Sequence, residues 1–206
     1  MSSDSLIIGL TKGKTLQKLS SLLEKHLFTV PELYLLDVDN WKKDFELCLI
    51  ELADIFGNSE LIVRSSASDE DSETSAKAGE YHSVLNVSAK DTKSLANAIN
   101  AVITSYVSKG LEDKGQEVLI QCMVRDVVCS GVIFTHELNT GAPYYVVNYD
   151  DSSGSTESVT SGSGEYSNRT LYIHRSSFEK IKSPRFKALI DAVRELEATI
   201  GWNFLD

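Results

Sequence analysis

Basic residues are in short supply. Lys and Arg total 20 against 30 Asp and Glu, a formal net charge of −10 at pH 7. Broad DNA or RNA binding is excluded as a function class, because neutralising a phosphate backbone needs clustered Lys and Arg. A local anion site stays open, since it depends on nearby charge and backbone N–H groups. Long hydrophobic runs are missing too: none approaches the ~20 residues that cross a bilayer, so no membrane partner is expected. The opening Met1-Ser2-Ser3-Asp4-Ser5 lacks a basic stretch ahead of an apolar one and does not read as a secretory signal. Cysteine is scarce. Cys48, Cys122 and Cys129 have no metal-type spacing and read as reduced thiols of a cytoplasmic protein. His26, His82, His136 and His174 form no His-x-His or His-x-x-x-His pair, and no Gly-x-Ser-x-Gly elbow occurs, so hydrolase chemistry has no support.

What is present suffices for a core: 42% of the 206 residues are hydrophobic, which argues against disorder. Leu6-Ile7-Ile8 reads as a short strand, and Leu16, Leu19, Leu22, Leu23 and Leu27 give helical spacing over 14–27. Val30-Pro31 stops that helix. A strand is expected at Leu33–Leu36, a helix over 41–56, strands at Leu61–Val63 and Val84–Val87, and a helix over 91–108. Consecutive strands follow at 117–124, 129–135, 144–149 and 170–174. The Ser/Gly-rich stretch 152–167 reads as loop, and a helix over 184–200 closes the pattern. Helices mixed with strands, then strands in series, predict an α+β fold of two lobes, 1–110 and 111–206, with a boundary near 109–116. There is no internal repeat.

Several segments have residues suited to phosphate or nucleotide. Gly9-Leu10-Thr11-Lys12-Gly13-Lys14-Thr15 puts lysines at a helix start, where free N–H groups suit a phosphate, but its spacing is not that of a Walker A loop. Taken alone it reads as a solvated helix start with ordinary surface lysines. Arg64 follows a buried strand, placing a guanidinium at an edge where it can fork a phosphate. Asp69, Glu70 and Asp71 beyond it read as a solvated cluster. The small residues ending at Gly79 allow a backbone to lie close over a ligand, or form a surface loop. Val118 to Val124 reads as a core strand or as an adenine slot, with Met123 against the ring.

The order of these segments is more informative than any one of them. Lys12-Gly13-Lys14, Val63-Arg64-Ser65-Ser66-Ala67, Ala78-Gly79-Glu80-Tyr81, Gln121-Cys122-Met123-Val124, Ser130-Gly131-Val132-Ile133-Phe134-Thr135 and Val159-Thr160-Ser161-Gly162 occur in one series. That series resembles the N-terminal nucleotide-binding domain of the phosphoenolpyruvate synthase and pyruvate phosphate dikinase family. The resemblance covers nearly the whole chain and implies an ATP-grasp-like fold with ATP between two lobes. It implies a kinase or phosphotransferase that uses Mg-ATP to phosphorylate a histidine on a separate swivelling domain, from which an acceptor domain takes the phosphate. Carried over by position, Lys12 contacts phosphates and Arg64 stabilises the transferring phosphoryl group. Gly79 covers the phosphates, Gln121, Met123 and Val124 meet adenine, and Glu157 lies near ribose and metal. These assignments cohere physically, because phosphoryl transfer relies on positioning and charge stabilisation.

Departures from the pattern are visible. The usual Gly-Gly-Lys is Leu10-Thr11-Lys12, the usual Gly-Leu-Gly-Glu is Gly154-Ser155-Thr156-Glu157, and Leu138 stands where the family has a proline. These leave open a degenerate regulatory module that binds nucleotide or a partner without catalysis. The resemblance also makes Asp206 one of two magnesium carboxylates, at the end of a C-terminal part that reads as incomplete. Weak or absent ATP binding by the isolated chain, and no activity in isolation, are the resulting expectations.

Overall fold

The computed structural model describes residues 10–22, 27–67, 82–154, 159 and 169–200. In chain order these form α1 (Lys12–Leu22), β1 (Leu33–Asp37), α2 (Val38–Lys43), α3 (Phe45–Phe56), β2 (Glu60–Ser66), β3 (Ser83–Ser88), α4 (Thr92–Ser108), β4 (Glu117–Cys122), β5 (Ser130–Phe134), β6 (Tyr144–Asp150), β7 (Arg169–His174), a 3-10 helix (Arg175–Lys180) and α5 (Pro184–Ile200). The α+β class is as expected. The strand expected at Leu6-Ile7-Ile8 lies outside the described residues.

Caps explain several boundaries. One helix was expected over 41–56, but the structure has two. Asp44 (φ −154°, ψ 80°) leaves the helical region, and its carboxylate accepts from the Leu47 N–H, starting α3 afresh. Gly57 ends α3 at φ 55°, a conformation that favours glycine. Asp91 caps α4 by accepting from Ser94 N–H at 3.0 Å. Pro184 opens α5, where its missing N–H costs nothing.

The described residues divide into two compact units. One gathers residues 10–22, 30–67 and 82–124, and the other residues 27–29, 125–154, 159 and 169–200. The division thus falls between Val124 and Arg125, later than the 109–116 boundary the sequence led us to expect. The reason is β4. It pairs antiparallel with both β1 and β2, in a four-stranded sheet ordered β1-β4-β2-β3, so it belongs with the elements before it. Leu36, Leu61, Val63, Val118 and Ile120 of this sheet form a core with Trp41 and Leu52 of the α2–α3 segment and Leu95, Ile99 and Val102 of α4. Each fully buried aliphatic side chain contributes about 1.5–3 kcal/mol. On β3 an extra residue, with Asn86 at φ 57°, shifts the register against β2 and forms a bulge.

The second unit has a three-stranded antiparallel sheet, β5-β6-β7. Tyr145, Val147 and Ile173 pack there against Phe186 and Ile190 of α5.

Candidate functional site

Side chains alternate along a strand, so the four-stranded sheet has two distinct faces. One carries the core against α4. The strand registers put Ile62, Arg64 and Ser66 of β2, Glu117, Leu119 and Gln121 of β4, and Leu33 and Leu35 of β1 on the other. Arg64 was expected just past a strand, at an edge. It lies instead inside β2, opposite Leu119 on β4 and Ser83 on β3, so its backbone is held on both sides.

The start of α1 docks on this second face. The Gly13 N–H donates to Ser66 Oγ at 2.9 Å. A Cβ at Gly13 would come within 2.2 Å of Leu35 Cδ2 and 2.9 Å of Ser66 Oγ, so glycine permits the approach. Thr11 caps the helix by accepting from the Lys14 N–H at 3.3 Å, and its own hydroxyl donates to Glu117 Oε2 at 3.1 Å. Lys14 Nζ pairs with Glu117 Oε1 at 3.0 Å. Lys12 is the first residue of α1 and half-buried. Because Arg64 and Ser66 share a face two positions apart on β2, the structure brings the Lys12 turn and Arg64 to one surface of one unit.

Arg64 carries the most informative single atom. Its Nε is buried and has no hydrogen-bond partner among the described residues. A buried donor without an acceptor costs about 1–3 kcal/mol, so such atoms are rare and call for an explanation. An anionic oxygen on this face would supply the acceptor.

The strand end expected to meet adenine is partly committed. Cys122 N–H donates to Glu32 O at 2.9 Å and Met123 N–H to Glu60 O at 2.8 Å. Gln121 is 8% exposed, on the Arg64 face, with Nε2 donating to Pro31 O at 3.5 Å. Val124 is 57% exposed. Gly79, Glu157 and Asp206 lie outside the described residues. Two open clefts of this unit, one beside Asp91 and Asn97 and one between Trp41, Phe45 and Asn100, contain neither Lys12 nor Arg64.

No group of three or more His, Cys, Asp or Glu that could hold a metal occurs among the described residues. Glu117, whose carboxylate meets the Lys12 turn, already serves Thr11 and Lys14. Among the described residues this donor set is not a magnesium cage. No described helix is long and apolar enough to cross a membrane.

Ser66 and Glu117 were not singled out from sequence. Ser66 belongs to the Val63-Arg64-Ser65-Ser66-Ala67 segment, but its partner is 53 residues away. Glu117 contacts Thr11 across 106 residues, and a lone Glu opening a strand carries no local signal.

The family model described as pyruvate phosphate dikinase, AMP/ATP-binding domain, matches residues 39–194, well over half of the chain. Arg64, Gly79, Gln121, Met123, Val124 and Glu157 fall inside that match, whereas Lys12 and Asp206 fall outside it. No curated protein matches the chain.

Proposed function

From its membership of the pyruvate phosphate dikinase AMP/ATP-binding family, we propose that this chain binds the ATP phosphates on the Arg64 face of the four-stranded sheet and serves a phosphotransferase. ATP binding follows from the family. The observation that carries it is the buried, unpartnered Nε of Arg64 on the face where the α1 start docks.

The chemistry follows from charge. A transferring phosphoryl group gathers negative charge on its oxygens, and fixed cations stabilise it without reorganising. Arg64 supplies a planar fork on a strand held from both sides. Lys12 supplies a point charge at the helix start, whose Gly13 and Lys14 N–H groups are already taken by Ser66 and Thr11. Gln121, Met123 and Val124 would border the base, with Val124 beyond the amides that the sheet has already engaged. Gly79 would close over the phosphates, and Glu157 and Asp206 would face the ribose and Mg²⁺. The acceptor would be a histidine on a separate swivelling domain, which passes the phosphate to an acceptor domain.

Two measurements test this. Titration with Mg-ATP into the millimolar range, followed by NMR, should show weak binding that falls about 10- to 100-fold further in Arg64→Ala and in Lys12→Ala, the loss of one charge-assisted contact. Labelled ATP with an added histidine domain should yield phosphohistidine, lost in both variants. Unchanged affinity in Arg64→Ala would refute the site. Gly154-Ser155-Thr156-Glu157, standing where the family has Gly-Leu-Gly-Glu, favours a second reading: a regulatory module that binds nucleotide without catalysis. Binding without phosphohistidine would select it.

A further inference from the structure

We propose that Glu117 is a positioning residue for the nucleotide phosphates, acting through the first turn of α1; the inference rests on the ATP reading above. Its two carboxylate oxygens have separate tasks. Oε2 accepts from Thr11 at 3.1 Å and Oε1 pairs with Lys14 at 3.0 Å. Directly across the strand pair, Ser66 takes the Gly13 N–H at 2.9 Å. Residues 11, 13 and 14 are therefore all tied to one cross-strand pair, and Lys12 sits among them.

Glu117 is itself held. Its side chain is only 16% exposed, and the buried Tyr106 hydroxyl donates to its carbonyl at 2.6 Å while accepting from Ser66 N–H at 3.0 Å. α4 thus fixes the strand ends that fix α1.

Helix starts fray, because their first N–H groups have no intrahelical acceptors. A phosphate ligand on a frayed turn must be ordered at the moment of binding, which weakens affinity. A latch that orders the turn beforehand removes that cost. The Lys14 arm is half exposed, at 49%, so its effect on overall stability is small after solvent screening. Its effect on where Lys12 stands need not be small. That difference separates a positioning role from a merely structural one.

The test uses the full chain as wild type, Glu117→Ala, Glu117→Gln and Thr11→Val, each titrated with Mg-ATP and with adenosine. Glu117→Ala should lose about tenfold in Mg-ATP affinity but under about twofold in adenosine affinity, because only the phosphates depend on the turn. Glu117→Gln keeps an acceptor for Thr11 and should recover part of the loss. Hydrogen exchange of the Gly13 amide should quicken in Glu117→Ala. Equal losses for ATP and adenosine, or no loss, would overturn the proposal. Should Glu117→Ala fail to fold, Thr11→Val removes one arm from the helix start and is judged by the same split. If the wild type binds neither ligand at millimolar concentration, the ATP reading fails. Gly13 exchange then judges the latch by itself: quickened exchange supports it and unchanged exchange refutes it.

Discussion

The Arg64 Nε and the Tyr145 hydroxyl are polar groups taken out of water, and the structure treats them differently. The Tyr145 hydroxyl donates to Glu197 Oε2 at 3.0 Å, and Arg175 forks the same carboxylate at 2.7 and 3.1 Å. Arg175 also lies 4.6 Å from the centre of the Tyr145 ring. That network is closed and joins β6 to α5. Arg64 keeps an open valence, which is why it is read as functional and Tyr145 as structural. Burial, then the hydrogen bond and charge of Glu197, push the Tyr145 hydroxyl up to about 12, against the nearby Arg175 and Arg194. The sign follows from linkage. A pKa raised from its ordinary 10.0 to about 12 favours the folded state below pH 10, and that contribution disappears as pH rises through about 12. Tyr145→Phe should therefore be less stable than wild type at neutral pH, with the deficit shrinking between these two values. Urea midpoints of the two proteins, measured in parallel across that range, check this. A constant deficit would contradict it.

Two glycines set how closely elements approach. Gly13 lets α1 settle on the sheet. Gly131 does the same for a strand pair: a Cβ there would lie 2.1 Å from the Asn148 carbonyl oxygen and 3.0 Å from Tyr149 Cα. Both obstacles are backbone of β6, which cannot swing aside as a side chain can. Gly131→Ala should thus force β5 from β6 and cost about 1–3 kcal/mol, read as a lower urea midpoint with an unchanged m-value. Gly131 belongs to the Ser-Gly-Val-x-Phe-Thr segment that marked the chain as similar to its family, yet the reason for the glycine is visible only once β6 lies beside it. The same limit governs the rest. Helices α4 and α5 and most strands were legible because apolar periodicity is local. The break at Asp44 is hidden because Trp41, four residues before Phe45, keeps step with Leu49, Leu52 and Phe56 across it. β4 is apolar on both faces, at Val118, Leu119 and Ile120, and such a strand does not disclose its neighbours in the sequence. Lys12 and Arg64 were picked out by residue type and order, whereas the Glu117 latch needed a contact across 106 residues.

The whole chain carries a net charge of −10, yet its family binds a polyanion. Distance decides which field prevails. At physiological ionic strength the screening length is about 8 Å, so most of the acidic surface is invisible to a ligand at the proposed Arg64 and Lys12 site. At about 0.01 M salt that length grows to roughly 30 Å, and the repulsion of the entire molecule reaches the site. Contacts at hydrogen-bond distance change little over this range, because no electrolyte fits between the partners. The long-range repulsion therefore supplies most of the salt dependence, and it acts harder on free ATP than on its less charged magnesium complex. Raising salt from the low to the physiological value should tighten free ATP more than Mg-ATP, the reverse of the trend for a basic nucleotide-binding surface. Calorimetric titrations of both ligands at the two ionic strengths check this. If both affinities fall with salt by the same factor, the local cations govern the whole dependence and the acidic surface has no part in it.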